Sequence, residues 1–544
     1  GVISGEHGIG LTKIQYQDPA PPRAFQQYKQ EIDPQGHFNR GKLLPGSGLD
    51  NAYTPSLQLL QQEAIIMEAS ELGLLNDDIR HCLRCGKCKP ECTTHVPRAN
   101  LLYSPRNKIL ATGLIIEAFL YEDQTRRGLS VHHFDEMNDI ADHCTICHRC
   151  LKPCPVNIDF GDVTVRMRKI LRDRGQRRRS WIGWISMQFL NVTHPKAIKL
   201  LRTGLVTLGY RGQRMAVKML RPLFSKALSR PPDTTHGKPA ASTQIVHFVS
   251  KPLPAPERQP SMRELLDLED SKTIPILRHP QKSSEYSDAV FYFPGCGSER
   301  LFSDISLATI AMLMETGAQV VLPPGYLCCG YPQEAGGYAE KARQISMDNR
   351  VLFHRVATTL NYLNISTVIV SCGTCMDQVM TYQFEQIFPG CRLLDIHEYL
   401  MEHDISVDNN GSQYVYHQPC HTPMKTHDDL DVAASLLNSP VTLTDRCCGE
   451  SGTFAVTRPD IADQVRFSKL ENLQQSLAEF DQNSDIRLLT SCPSCQQGLS
   501  RYSEDTGLNA EYIVVELARQ LLGESWRREL VERTRSEGLE KVLL

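Results

Sequence analysis

The sequence has no hydrophobic run long enough to cross a bilayer. Its most apolar short stretch, from Trp181 to Leu190, has only ten residues, whereas a membrane-spanning helix needs about 20. The opening residues GVISGEHGIG also lack the basic start of a secretory signal. We therefore predict a cytoplasmic protein without a membrane-spanning helix, and we expect this chain to be the C-terminal part of a longer protein.

The chain also has little net charge and few aromatic residues. Its 544 residues carry a formal net charge of −3, with 7% aromatic residues and three Trp. The overall composition, 41% hydrophobic and 22% charged, is typical of a globular protein. A nearly neutral chain is not a general polyanion binder, so we expect no nucleic-acid partner. The length allows three or four domains.

Cysteine, in contrast, is abundant. The 19 cysteines fall into tight groups separated by long stretches without cysteine. Disulfide-rich scaffolds are short and have far more cysteine per residue. In a long chain, CxxC groups of this kind indicate metal binding.

Two groups repeat the pattern CxxCxxCxxxC at residues 82–92 and 144–154. In two-cluster ferredoxins, the fourth cysteine of each run ligates the other cluster. We therefore predict two [4Fe–4S] clusters, one held by Cys82, Cys85, Cys88 and Cys154, the other by Cys144, Cys147, Cys150 and Cys92. The alternative is two zinc sites, although zinc ribbons usually space their CxxC pairs widely. The 51 intervening residues predict helices between the two groups.

The last 260 residues contain an internal repeat. Each copy runs from an apolar strand to a cysteine, a helix, a short strand, a CCG sequence, a long helix, another strand and a CxxC sequence. Equivalent cysteines of the two copies are 119 to 124 residues apart. Strands that alternate with helices predict a parallel α/β layer in each copy. The cysteines follow strand ends, where open α/β sheets place their sites.

Each copy supplies five cysteines. The first set is Cys296, Cys328, Cys329, Cys372 and Cys375, and the second is Cys420, Cys447, Cys448, Cys492 and Cys495. Five thiolates suit a larger or split cluster, whereas the alternatives are a redox-active CC disulfide or buried thiols that act as small hydrophobic residues. Cys391 is left over and is interpreted as structural. His417 and His421 are candidates for an extra ligand or a proton donor, or are hydrogen-bonded neighbours.

This arrangement resembles the cysteine-rich CCG domains of heterodisulfide reductase and of the iron–sulfur subunits of glycolate oxidase and anaerobic glycerol-3-phosphate dehydrogenase. In that group a helical two-cluster ferredoxin precedes two CCG domains, as it does over residues 60–540 here. The resemblance implies that both five-cysteine sets ligate clusters of the noncubane [4Fe–4S] type. Related subunits hold fewer clusters, so we expect one or two here.

The N-terminal sequences SGEHGIGLTK and DPQGHFNRGKLLP resemble the end of the C-terminal domain of FAD-linked oxidases, which include D-lactate dehydrogenase. The resemblance implies that Glu6 binds a divalent metal that holds a hydroxy acid. It also implies that His7 is the base that accepts the hydroxyl proton while hydride passes to flavin. Arg40 stands where that family commonly has proline. The FAD pocket itself is expected in sequence that precedes residue 1.

Residues 166–230 are strongly basic, with 17 Lys or Arg against one acidic residue, Asp173. Trp181 and Trp184 lie within this segment, which suits peripheral contact with an anionic membrane surface. The alternatives are a solvated helical face or docking onto acidic parts of the chain. Seven prolines between residues 231 and 260 predict that residues 231–285 form a linker without regular elements.

Together these patterns predict a multidomain fold of the α+β and α/β classes. The predicted domains are an FAD-linked oxidase remnant (1–48), a helical ferredoxin with two clusters (55–165), a basic segment and linker (166–285), and two CCG domains (286–402 and 412–544). The predicted function is electron transfer from FAD in a D-lactate or glycolate type dehydrogenase to a quinone or another carrier. The alternatives are a heterodisulfide reductase-like thiol oxidoreductase and an electron-transfer module without a substrate of its own.

Overall fold

A computed structural model describes residues 20–38, 70–96, 103–124, 131–224, 236–237, 239–255, 260–408, 411–480 and 485–544. These residues belong to two compact units. The first unit ends at Arg177, and the second contains residues 178–544. The expected helix at 55–78 lies mostly outside the described residues, and its described part is helical from Glu71.

All regular elements among the described residues of the first unit are helices. Its helices are α1 (Ala20–Ile32), α2 (Glu71–Ile79), α3 (Pro105–Gln124), α4 (Val131–Asp142) and α5 (Phe160–Asp173). The Ser70 hydroxyl caps α2 by accepting a hydrogen bond from the Gly73 N–H, and the Asp159 carboxylate caps α5 through the Gly161 N–H. Such caps satisfy donors that the first turn of a helix leaves unpaired.

The boundary predicted at residue 165 is wrong, because it falls inside α5. This helix packs against α2 and α4 and buries Met167, Ile170 and Leu171. Its basic residues pair with neighbouring parts of the unit: Arg166 pairs with Asp78 of α2 at 2.6 Å, and Arg168 donates to the Ala141 carbonyl at 2.8 Å. The high charge of the segment concealed an apolar face that belongs to the first unit.

The second unit begins with helices in the basic segment. These are α6 (Trp181–Asn191), α7 (Pro195–Arg202) and α8 (Gly209–Leu220), with a π-helical stretch from Thr203 to Leu208 between the last two and a 3₁₀ turn at Arg221–Phe224. Next come α9 (Ala241–Phe248) and α10 (Met262–Leu265).

The prediction that residues 231–285 hold no regular element is therefore also wrong. The segment contains α9, α10 and a strand at Thr273–Leu277. The prolines lie between these elements instead of interrupting them: α9 fits between Pro239 and Pro252. The strand follows the last proline of the cluster, and its Ile274, Ile276 and Leu277 are buried.

The remainder of the unit contains two sheets and their helices. The strands are β1 (Thr273–Leu277), β2 (Ala289–Phe293), β3 (Gln319–Val321), β4 (Ile365–Val370), β5 (Arg392–Asp395), β6 (Gln413–His417), β7 (Val441–Thr444), β8 (Ile486–Thr490), β9 (Ala510–Tyr512) and β10 (Leu539–Leu543). The longer helices are α11 (Ser303–Glu315), α13 (Ala339–Thr359), α14 (Gly373–Met380), α17 (Asp429–Leu437), α19 (Pro459–Leu477), α20 (Pro493–Ser500), α22 (Ile513–Leu522) and α23 (Trp526–Ser536). The shorter ones are α12 (Tyr331–Ala335), α15 (Phe384–Ile387), α16 (Ile396–Glu402), α18 (Phe454–Thr457) and α21 (Ser503–Thr506), besides a π-helical stretch at Gly297–Leu301.

The two sheets reproduce the internal repeat. The first has the order β10-β1-β3-β2-β4-β5, and the second has the order β7-β6-β8-β9. All pairs in the second sheet are parallel, as are the corresponding pairs from β3 to β5 in the first. The predicted fold class, a helical ferredoxin followed by two repeated α/β domains, is confirmed.

The two repeats share one apolar core. Helix α11 of the first repeat packs against α22, and buried residues of both repeats, including Leu313, Leu436 and Leu517, belong to one cluster. The last strand crosses between them: β10 pairs antiparallel with β1 of the first sheet. The predicted second domain, 412–544, therefore includes a strand of the other sheet, because no local pattern reveals so distant a pairing.

Candidate metal centres

The eight cysteines of the first unit line two cavities. Cys82, Cys85, Cys88 and Cys154 surround one, whereas Cys92, Cys144 and Cys147 surround the other. Cys150 lines both. The fourth cysteine of each sequence run thus lies with the first three of the other run. This placement supports the exchanged ligand sets, which remain a prediction.

Both runs turn through the same unusual backbone conformations. Arg84 and Ile146, two residues after the first cysteine of each run, have φ near 54° and 53°. Gly86 and His148, two residues further on, also have positive φ, 77° and 54°. Left-handed residues at these positions curl the backbone tightly, so that three thiols of one short loop converge.

The electrostatics of these cavities fit bound iron. Burial raises the pKa of Cys82 and Cys144 and raises the pKa of Cys88 to about 11. Such thiols ionise only when a cation compensates their charge, which is what iron does on binding. Buried Lys108 lines the second cavity and donates to the Thr94 hydroxyl at 3.1 Å, so it adds positive charge beside that thiolate set.

The first cysteine group of the second unit gathers at the ends of β2, β3 and β4. Cys296 follows β2, Cys328 and Cys329 precede α12, and Cys372 immediately precedes α14. The Sγ atoms of Cys296 and Cys328 are 3.8 Å apart. A Cβ atom on Gly295, whose φ is +69°, would lie only 2.6 Å from the Cys375 Sγ. Glycine is required there because the backbone passes directly beside a thiol.

The second group repeats this geometry at the ends of β6, β7 and β8. The Sγ atoms of Cys448 and Cys495 are 3.6 Å apart, and the Gly449 N–H donates to the Cys447 Sγ at 3.4 Å. The two groups meet, because the thiols of Cys372 and Cys492 are hydrogen-bonded to each other.

Protons are shared unequally among these buried thiols. Hydrogen bonds from neighbouring thiols lower the pKa of Cys328, Cys372 and Cys448 well below the ordinary value. The complementary hydrogen bonds, together with burial, raise the pKa of Cys296 and Cys495. Each group therefore contains thiols that ionise readily beside others that need a metal to do so, which fits cluster ligation.

Tyrosines support both groups in the same way. The Tyr382 hydroxyl donates to the Cys329 carbonyl at 2.8 Å, and Tyr502 donates to the Cys448 carbonyl at 3.0 Å. Tyr512 donates to the carbonyls of Ser371 and Ser491 at 2.8 and 3.0 Å and thus joins the two repeats. Sequence reasoning missed these residues, although the spacing of 120 between Tyr382 and Tyr502 could have revealed that pair.

The copies differ in the polar residues near the thiols. Lys469 of the second copy occupies the place of Asn349 in the first, 120 positions earlier. Its ammonium is buried and donates to the Thr444 hydroxyl at 2.9 Å. Burial lowers the pKa of Lys469 to about 7, and burial, followed by the charge of Lys469, also lowers the pKa of buried His417.

The other singled-out residues have different surroundings. His421 is hydrogen-bonded to the Asp377 carboxylate at 2.5 Å and to the Tyr331 hydroxyl at 3.0 Å, so it is a hydrogen-bonded neighbour. Cys391 is half-buried against the core of the first sheet, and burial raises its pKa to about 11. Glu6, His7 and Arg40 lie outside the described residues.

Comparison with known protein families places these centres in a class. Residues 78–158 match the 4Fe-4S dicluster domain, and residues 290–380 and 414–500 each match the cysteine-rich CCG domain. Residues 1–43 match the C-terminal domain of FAD linked oxidases, and residues 500–544 match a domain of unknown function, DUF3400. The chain carries iron–sulfur domains of oxidoreductases, and the predicted domain resemblances are confirmed.

Several relatives of the chain are named as iron–sulfur proteins or iron–sulfur subunits. The chain is 21% identical over 476 residues to the probable glycolate oxidase iron–sulfur subunit of Bacillus subtilis. The matched region covers 82% of this chain and 94% of the relative. It is 24% identical over 213 residues to lactate utilization protein A of an Exiguobacterium species, covering 35% of this chain and 82% of the relative. It is 26% identical over 225 residues to a fumarate reductase (CoM/CoB) subunit of Methanothermobacter marburgensis, covering 40% of this chain and 42% of the relative.

No solved structure matches the chain. Among the described residues, no helix has both the length and the apolar character that a membrane span requires.

Proposed function

We propose that this chain is the iron–sulfur electron-transfer portion of a flavin-dependent dehydrogenase of D-2-hydroxy acids, of the D-lactate or glycolate type. Electrons pass from FAD through [4Fe–4S] clusters to a quinone or another carrier. The observation that carries the proposal is the union, in one chain, of an FAD-linked oxidase match with a dicluster domain and two CCG domains. The similarity to a glycolate oxidase iron–sulfur subunit supports it.

The proposed roles follow from the donor sets. The eight cysteines of the first unit hold two clusters, and the two five-cysteine groups hold one or two more. When bound, such clusters accept and release single electrons at potentials that hydrogen bonds and burial adjust. The chain contributes thiolate ligands and buried cations such as Lys108. Glu6 as a ligand of a divalent metal and His7 as the base remain part of the proposal.

We expect a D-2-hydroxy acid to bleach the visible absorbance of the natural protein that contains this chain, purified without oxygen. Oxidation of the acid releases two electrons, which distribute over the flavin and the clusters. The measurement is an anaerobic titration with D-lactate, glycolate and D-2-hydroxyglutarate, with L-lactate as the matched stereochemical control. The proposal fails if dithionite bleaches the protein but none of the D-2-hydroxy acids does.

The second candidate function is thiol and disulfide chemistry at the two five-cysteine groups of the second unit. It is favoured by the contact between Cys372 and Cys492 and by the similarity to the fumarate reductase (CoM/CoB) subunit. In the same titration, bleaching by a dithiol but not by hydroxy acids would support this candidate. If neither a dithiol nor a hydroxy acid bleaches the protein, but a separate reduced flavoprotein reduces it rapidly, the chain is a module that only transfers electrons.

We also propose that the basic segment contacts an anionic membrane surface, where a quinone is accessible. Trp181 and Met219 are 73% and 68% exposed, and exposed Lys196, Arg211 and Lys218 lie in the same helical segment. Exposed aromatic and apolar side chains beside cations match the composition of interfacial helices, and each cation near an anionic surface contributes about 1 kcal/mol.

Replacing Trp181 and Trp184 together by serine is expected to weaken binding to vesicles of equal parts phosphatidylglycerol and phosphatidylcholine at least tenfold. Burying an aromatic side chain contributes roughly 1.5–3 kcal/mol, and about 1.4 kcal/mol corresponds to tenfold. Co-sedimentation measures the bound fraction. The control is Tyr286→Ser, at an aromatic residue that is 96% exposed outside the basic segment. Equal binding to pure phosphatidylcholine, or no effect of the double substitution, would rule out this contact.

A further inference from the structure

The two cysteine groups differ at one position that faces the thiols. Phe293 is the last residue of β2, and His417 is the last residue of β6. The two strands are equivalent in their sheets, and each of these residues comes three positions before the first cysteine of its group. Phe293 packs in an apolar cluster with Cys329 and Cys375. The first group thus has a phenyl ring where the second has an imidazole.

His417 is placed as a ligand of the second group. Its side chain is fully buried, and one of its ring nitrogens and the Sγ atoms of Cys448 and Cys495 all lie within 4.8 Å of one another. Atoms at such separations can converge on one iron atom, because iron–nitrogen and iron–sulfur bonds are each about half that length.

The polar surroundings of His417 point to the same conclusion. Among the described residues, neither ring nitrogen makes a hydrogen bond of good geometry. The ring faces the Cys448 thiol and the backbone of Thr444, and the Lys469 ammonium adds positive charge nearby. A buried polar group without a good partner costs about 1–3 kcal/mol, so such a group requires an explanation. His421, four positions later, shows the contrast, because both of its ring nitrogens are hydrogen-bonded to oxygen atoms.

We infer that His417 is an iron ligand in the second cysteine group, on the same cluster as Cys448 and Cys495, whereas the first group binds its cluster through thiolates alone. The inference rests on the proposal that both groups hold iron–sulfur clusters. His417 would take a coordination site that a thiolate of the second group would otherwise fill, and because imidazole is neutral and thiolate is anionic, the cluster would carry less negative charge. Clusters with histidine ligands accordingly have higher reduction potentials than all-cysteine clusters. The second cluster is then the electron-accepting end of the pair.

The test uses the full chain, prepared without oxygen and labelled with ¹⁵N only in histidine. Pulsed EPR of the reduced protein is expected to show strong ¹⁵N coupling to one cluster. His417→Phe, which installs the residue of the first group, should abolish that coupling. His421→Gln should leave it intact. His417→Cys should keep the iron, lose the coupling and shift the midpoint potential of that cluster downward.

Iron analysis separates the possible failures. If both groups hold iron but no cluster shows strong ¹⁵N coupling, or if the coupling survives His417→Phe, His417 is not a ligand and the cluster assignment stands. If wild-type protein has only the iron of the two ferredoxin clusters, both the ligand and the proposed CCG clusters are refuted.

Discussion

Replacing Gly373 by alanine is expected to destabilise the second unit by about 3 kcal/mol or more. Gly373 follows Cys372 at the start of α14, and a Cβ atom there would lie 1.7 Å from the backbone carbonyl oxygen of His421 in the other repeat. Backbone atoms cannot move aside as the end of a flexible side chain can. Overpacking of this kind typically costs about 1–3 kcal/mol and occasionally more, and this contact is among the tightest in the unit.

Urea unfolding followed by circular dichroism measures the change. Gly212→Ala is the matched control, because Gly212 lies in α8 and a Cβ atom added to it would have nothing within 4 Å. Alanine is the better helix former by about 1 kcal/mol, so this control should be neutral or slightly stabilising. If Gly373→Ala unfolds at the same urea concentration as wild type, the close approach of the two repeats at this point is wrong.

Removing Cys154 is expected to eliminate the same cluster as removing Cys82, although the two residues belong to different sequence runs. The reason is the cavity that they share. Correspondingly, Cys92→Ala and Cys144→Ala should both eliminate the other cluster. Each substitution removes one of the four cysteine ligands of a [4Fe–4S] cluster, so we expect nearly complete loss of one cluster, or about four iron atoms per chain.

EPR-monitored redox titration distinguishes the two clusters by their signals and midpoint potentials. Cys391→Ala is the control, since that cysteine lies beside the first sheet and outside both cavities. The exchanged ligation is refuted if Cys154→Ala instead removes the signal that Cys144→Ala removes. Retention of both signals in every variant would show that these cysteines do not ligate the two clusters.

Much of the architecture could be predicted because its signals are local. Cysteine spacing of two and three residues revealed the ferredoxin, and the repeated order of strands, helices and cysteines revealed the two α/β domains. The structure shows the same order in both sheets. The sequence also predicted that Cys92 and Cys154 each ligate the cluster of the other run. A short loop supplies three ligands of its own cluster, and the fourth ligand comes from another segment.

The predictions that were wrong or missing concern features that depend on contacts between residues far apart in the sequence. The basic character of residues 166–173 suggested a separate segment, but the buried face of α5 assigns them to the first unit. The close contact between Gly373 and His421 and the bridging role of Tyr512 depend on how two repeats pack, which no single window of sequence reveals. Lys469 was missed because a lysine in a long helix is usually exposed.

The pairing of β10 with β1 has a consequence for how the protein acquires its structure. Thr273 lies opposite Leu543, so the first sheet receives its outermost strand only after the whole second repeat has been synthesised. Closing so long a loop is slow and entropically unfavourable until other contacts hold its ends together. The two repeats therefore depend on each other to fold, and the first cysteine group reaches its final surroundings only after β10 has been synthesised.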